Sequence, residues 1–263
     1  MNTGALVALY GDKPAKLVQF IADCQAEIVS VAGSAFHPYD IRQVHATIVG
    51  VEQATESTMV NAYFYEYRGK QVQMNFGDLL NFLRNSGCAP LQVQIGGFQQ
   101  RDYPFVSHGA GPYERSFAFH GGKAVVIGWP IRGTPITNHT STAINLIHES
   151  QIYPNTLDKI RQAVQTFGFL HRYYRRPEDV DNDFYFRVGL FDPESVPESM
   201  QSLIERTIRQ FLSDLEPVVI EITLSDICLA FSDKETLPLD STRLWSISDP
   251  NVTANSIEDS IVK

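Results

Sequence analysis

Apolar residues recur along the chain with two spacings, one suited to strands and one to helices. Leu6–Tyr10 (LVALY) is a short apolar run closed by Gly11, which predicts a buried strand. Leu17, Phe20, Ile21, Cys24 and Ile28 then recur at helical spacing, so a helix is predicted over Pro14–Ile28, with Asp12 as its cap. Val44–Gly50 (VHATIVG) is β-branched and ended by glycine, hence strand-like. In the tyrosine-rich stretch Val60–Met74, Tyr63, Tyr65 and Tyr67 alternate and Arg68-Gly69-Lys70 reads as a hairpin turn, so the tyrosines are expected to share one strand face. A short helix is predicted from Phe76 to Asn85, and the alternating Leu91–Phe98 is a half-buried strand. Ser116–His120 and Lys123–Trp129 flank Gly121-Gly122, a strong hairpin signal.

The second half repeats the rhythm. Leu157, Ile160, Val164 and Phe167 mark a helix stopped by Gly168, and Phe184–Phe191 (FYFRVGLF) is a strand. Met200, Leu203, Ile204, Ile208, Phe211 and Leu215 form a long amphipathic helix, and Val218–Leu224, Ile227–Phe231 and Leu244–Ile247 are closing strands. Strand–helix–strand units thus occur twice, which points to one α+β domain with two lobes over residues 1–249. Residues 250–263 are polar and acidic and are expected to be a flexible tail.

Composition narrows the function classes. The chain has 263 residues, 43% of them hydrophobic, enough to build a core and far from a disordered composition. Its net charge of -9 argues against a surface that grips duplex DNA, while leaving room for a local basic patch. Three widely spaced cysteines (Cys24, Cys88, Cys228) fit a reducing compartment and no CxxC metal site. The N-terminal residues lack the features of a signal peptide, and the apolar runs are strand-sized. A cytoplasmic protein without a membrane span is expected.

The sharpest chemical feature is His45-Ala46-Thr47. Two residues apart on a strand, the imidazole and the hydroxyl face the same side. In a cleft they can transfer protons and donate to a phosphate oxygen; elsewhere they are a polar pair on a half-buried strand. The order of elements around this motif, from Leu6 to Ile247, resembles the two-histidine phosphoesterase superfamily, the LigT-like cyclic phosphodiesterases and RNA-end enzymes. In that family a strand and helix precede the H-x-T strand. Segments like PLQVQIGGF, KAVVIGWPI and a glycine-stopped helix then lead to a second H-x-T or H-x-S strand.

The resemblance implies two pseudo-symmetric antiparallel-sheet lobes with outer helices around a central cleft. It also implies metal-independent acid–base hydrolysis of a 2′,3′-cyclic nucleotide or RNA-end phosphate, with no cofactor. His45 and Thr47 carry the first motif. At the second, Phe184-Tyr185-Phe186-Arg187-Val188-Gly189 places Tyr185 where the histidine belongs and Arg187 where the hydroxyl belongs. Tyrosine, with an ordinary pKa near 10, is a poor proton shuttle, whereas arginine holds phosphate bidentately. Phosphate affinity is therefore expected to survive better than turnover.

Other residues stay as candidates. His139-Thr140-Ser141 also reads H-x-S, in a stretch expected to be a loop. His171-Arg172-Tyr173-Tyr174-Arg175-Arg176 is either a phosphate- and base-contacting patch, through Arg172 and Arg175, or a solvated loop paired with the acidic run Glu178–Asp181. Three classes of function are consistent with these residues: a phosphodiesterase, a phosphate-binding module without turnover, and a protein-interaction domain with a vestigial cleft.

Overall fold

β-Branched and aromatic runs become strands, and the runs at helical spacing become helices that cover one face of them. The computed structural model describes residues 3–55, 58–133 and 153–261. In chain order the elements are β1 (Thr3–Ala8), α1 (Ala15–Ala32), β2 (Phe36–Pro38), β3 (Ala46–Gly50), α2 (Ala62–Arg68), α3 (Phe76–Asn85), β4 (Leu91–Ile95), α4 (Pro112–Arg115), β5 (Phe117–His120), β6 (Lys123–Gly133), α5 (Thr156–Val164), β7 (Phe184–Phe191), α6 (Glu198–Asp214), β8 (Val218–Ile222), β9 (Ile227–Ser232), β10 (Arg243–Ser246) and α7 (Ala254–Ile261). The chain is therefore α+β, as expected, and its described strands join in one antiparallel sheet. The order is β10-β9-β1-β3-β7-β6-β4-β8, with β2 also on β7 and β5 also on β6. Among the described residues no helix is long and apolar enough to cross a membrane.

Strand alternation gives this sheet two unlike faces. Leu6, Ala46, Ile48, Phe184, Phe186 and Val126 point to one side and pack with apolar residues of α1, α3, α5 and α6 in the main core. Burying each such large side chain contributes about 1.5–3 kcal/mol. Among the described residues the opposite face holds two small apolar clusters, one around Val7, Ala230 and Leu237 and one around Phe98, Ile127 and Trp129. Thr47 pairs with both Val7 and Tyr185, and Tyr185 with Ile127, so the residues between the two clusters share this second face. Gly189 is required where β2 crosses β7, since a Cβ there would lie 2.4 Å from the Phe36 ring.

Strands β3 and β7 pair at only two positions, Ala46 with Phe186 and Thr47 with Tyr185. Where they part, the buried Arg161 of α5 spans the gap. It donates to the carbonyls of Thr47 (3.1 Å) and Ile48 (2.7 Å) on one side and of Asp181 (3.1 Å) and Asp183 (3.0 Å) on the other.

Three expectations are corrected. The tyrosine-rich stretch is helix α2, not a strand: Asn61 caps it by accepting from the Tyr63 and Phe64 N–H groups, and Gly69, at φ 62°, ends it. Tyr63 and Tyr67, one helical turn apart, stack at 5.4 Å. Asp12 does not cap α1, whose N-terminal boundary is Pro14; it pairs with Arg42 at 3.2 Å. The segment 250–263 is no loose tail: it contains α7, which packs on α3 and buries Ile257 and Ile261. Its few apolar residues fall on one helical face, which overrides its polar composition. His139 lies outside the described residues.

Candidate functional site

His45 just before β3, Thr47 of β3, Tyr185 and Arg187 of β7, and Arg172 of the loop between α5 and β7 line a single cavity on the sheet face opposite the main core. Its empty volume is about 770 Å³, open mouth and adjoining solvent included.

His45 is held in one tautomer. Its Nδ1 lies 2.7 Å from the Gln43 carbonyl, which only accepts, so Nδ1 carries the proton and Nε2 keeps a free lone pair. Burial lowers its pKa to about 4, opposed by the Gln43 hydrogen bond and helped by Arg187 and Lys13. At neutral pH it is an uncharged imidazole with its acceptor nitrogen available. The Thr47 hydroxyl has no hydrogen-bond partner among the described residues.

The cations of the cavity converge on one carboxylate. Arg187 donates to the Glu235 carbonyl at 3.2 Å and pairs with its Oε1 at 3.5 Å, and Lys123 binds the same oxygen. Burial pushes the Glu235 carboxyl up, but contacts with Lys123 and Arg187 win and hold it below the usual range. Arg172, on the cavity wall, adds a third positive charge. His120 stands on the same wall, its pKa lowered by partial burial and then by Arg172, Lys123, Arg115 and Arg187.

Two further acid–base groups line the cavity. Glu52 accepts from Tyr63 Oη at 3.0 Å, while its Oε2 is buried without a partner, and burial raises its pKa. His171 accepts from the Gly50 N–H at 3.1 Å through Nδ1, so its proton sits on Nε2, 3.6 Å from Asp181. Burial and then Arg161 hold it neutral.

Tyr185 is not free for proton transfer. Its hydroxyl lies 3.1 Å from Asp181 Oδ1, 3.2 Å from Asp183 Oδ2 and 3.1 Å from His108 Nε2. Burial and the two carboxylates raise its pKa well above the ordinary value, because a phenolate there would face two negative charges. The Tyr185 hydroxyl, for which a catalytic role was expected, is engaged by two carboxylates and His108. The donor atoms of His108, Asp181 and Asp183 lie within 4.8 Å of one another, a spacing a metal could use. Each carboxylate already carries an arginine, Arg161 on Asp181 and Arg115 on Asp183, and Trp129 Nε1 donates to Asp183 at 2.7 Å. The cluster is charge-balanced without an ion.

The basic-aromatic stretch divides between its two readings. Arg172 and Tyr173 line the cavity, whereas Arg176 pairs with Asp179 at 3.1 Å. Arg175 is not a cavity residue: it is exposed, and its guanidinium lies over the Tyr67 ring of α2, 5.9 Å from the centroid. Sequence reasoning missed His120, Lys123, Glu52 and Glu235. For the first two a signal existed, because they flank the Gly121-Gly122 turn and face each other in register. Glu235 follows β9 in an irregular turn, where no periodicity reports its direction.

No family model matches the chain, and no curated protein matches it.

Proposed function

We propose that this cavity binds a phosphate-bearing nucleotide or the 2′,3′-cyclic phosphate end of an RNA, and hydrolyses it slowly by proton transfer without a metal, in the manner of a two-histidine phosphoesterase. The observation that carries this reading is the gathering of Lys123, Arg172 and Arg187 beside His45 and Thr47 in one cavity of a chain of net charge -9. Charge-assisted hydrogen bonds from arginine are the strong ones for phosphate oxygens. The reading treats the sheet as two lobes meeting at β3 and β7, each lobe supplying one motif strand to the cleft between them.

In this mechanism a water oxygen attacks phosphorus and His45 Nε2 takes its proton. The bond from phosphorus to the 2′ or 3′ oxygen breaks, and that oxygen receives a proton from His120 in the minority of molecules that hold it as imidazolium. Partial burial and the neighbouring cations lower the His120 pKa, which also keeps the rate low. Thr47 and the cations hold the phosphate oxygens. His45 is fully in its basic form at pH 7, but with a pKa of about 4 it is a weak base, which keeps the rate low. Binding without turnover is the second reading, favoured by Tyr185, which stands at the family's second histidine position with its hydroxyl bound to carboxylates.

The test is binding and turnover of 2′,3′-cyclic nucleotides and short RNA ends with EDTA present. Arg187→Ala is expected to weaken binding about tenfold or more. His45→Ala and His120→Ala are expected to cut turnover by roughly 10²–10⁴-fold each while leaving binding largely intact. Binding with no turnover by the wild type selects the second reading. Failure to bind any phosphate ligand overturns both and leaves a protein-interaction domain, and turnover indifferent to His45→Ala moves the chemistry elsewhere.

A further inference from the structure

We infer that a second hollow, beside the cationic cavity, is the seat of a nucleobase, so that the site takes a nucleotide rather than a bare sugar phosphate. The inference rests on the proposed phosphate site next to it. The two hollows share His120, Val125, Tyr173 and Tyr185, so they form adjoining parts of one groove. The second has an empty volume of about 510 Å³, its open mouth and adjoining solvent included, and is otherwise walled by His108, Arg115, Ala118 and Ile127.

Its floor is the sheet itself. Ala118 pairs with Val125, Val125 with Arg187 and Ile127 with Tyr185, so the three apolar side chains lie on the same face as the phosphate-binding arginine. Small and β-branched residues on a pleated surface give a level apolar floor. Tyr173 also lines the hollow, as the centre of a ring cluster with centroids 5.1 Å from Tyr185, 5.5 Å from His108 and 6.1 Å from His120.

Charge separates the two hollows. Lys123, Arg172 and Arg187 gather at the first. At the second, Arg115 is paired with Asp183, and the neighbouring Asp181 with Arg161. A balanced, largely apolar slot suits a neutral flat ring, and the carboxylates behind Tyr185 disfavour a second phosphate. Base–aromatic stacking tolerates every base, because each has a π-face. Arg115 adds N–H donors at the wall for a base edge that accepts.

The experiment compares nucleoside 3′-monophosphates with methyl ribofuranoside 3-phosphate, the same group without a base, by calorimetric titration of the full chain. The nucleotides are expected to bind about tenfold more tightly or better. Ala118→Trp, which fills the hollow from a half-buried strand position, is expected to abolish that advantage and leave the affinity for the baseless phosphate unchanged. If Ala118→Trp lowers the melting temperature, the smaller Ala118→Leu makes the same comparison. Equal affinity of the wild type for both ligands overturns the nucleobase seat while sparing the phosphate site. An advantage that survives both substitutions overturns its location. Failure of both ligands to bind overturns the phosphate site and the inference with it.

Discussion

Glu235 is the residue on which ligand access turns. Its carboxylate bridges Lys123 and Arg187, the two cations that a phosphate would need. On the proposed reading it occupies the site as an internal anion, and a phosphate ligand would have to displace it or share its partners. Glu235→Gln keeps the size of the side chain and removes the charge. Inorganic phosphate and nucleotides are expected to bind that variant about tenfold more tightly, ~1.4 kcal/mol, most clearly at low salt. Weaker binding in the variant would instead mean that Glu235 orients the two cations. Nothing in the sequence announces this role. The H-x-T pair was legible because strand parity alone puts His45 and Thr47 on one side. Glu235 is brought to the cavity by a turn after β9, through contacts across the sheet.

Among the elements, the junction of β3 and β7 is the weak seam that makes a site possible. Two backbone pairs join the strands, and beyond them Arg161 supplies the donors that a continuing ladder would have supplied. Its guanidinium also neutralises the buried Asp181 carboxylate at 3.0 Å. Arg161→Met takes a donor from four carbonyls, of which that of Asp181 keeps the Tyr174 hydroxyl, and removes the arginine that neutralises a buried carboxylate. Such a loss costs about 3–5 kcal/mol, to be read from the midpoint of urea unfolding; a change below about 1 kcal/mol would show that water replaces the arginine without penalty. The sequence placed β3, β7 and the helix carrying Arg161 correctly, because each has a clear apolar period. It misread α2, where every second residue is tyrosine yet the ends are a capping asparagine and a left-handed glycine. Local hydrogen bonds at the two ends outweigh alternation over so short a stretch.

Taken whole, the molecule carries buried histidines whose cost appears as a pH dependence of folding. Burial lowers His45 to about 4 and His171 well below its ordinary value. As pH falls below roughly 6.5 the unfolded chain takes up protons that the folded chain refuses. Stability is therefore complete above that pH and is lost as pH drops toward 4. His45 alone accounts for about 2 kcal/mol between pH 7 and pH 5. Glu52, raised by burial, works in the opposite direction and softens the slope. Urea unfolding across this range is expected to show the decline, and His45→Gln to flatten it; an equal slope in the variant would place the titration elsewhere.

The same burial marks the boundary of what the chain discloses in one dimension. By itself the sequence determined the α+β class, most elements and the first motif, since period, parity and turn residues act over a few neighbours. The tertiary structure decided that the described strands join in one sheet whose two faces differ. It decided that the Tyr185 hydroxyl is taken up by Asp181 and Asp183. It also brought His120, Lys123 and Glu235 to His45, because those contacts follow from strand register and from the desolvation of groups that are distant along the chain.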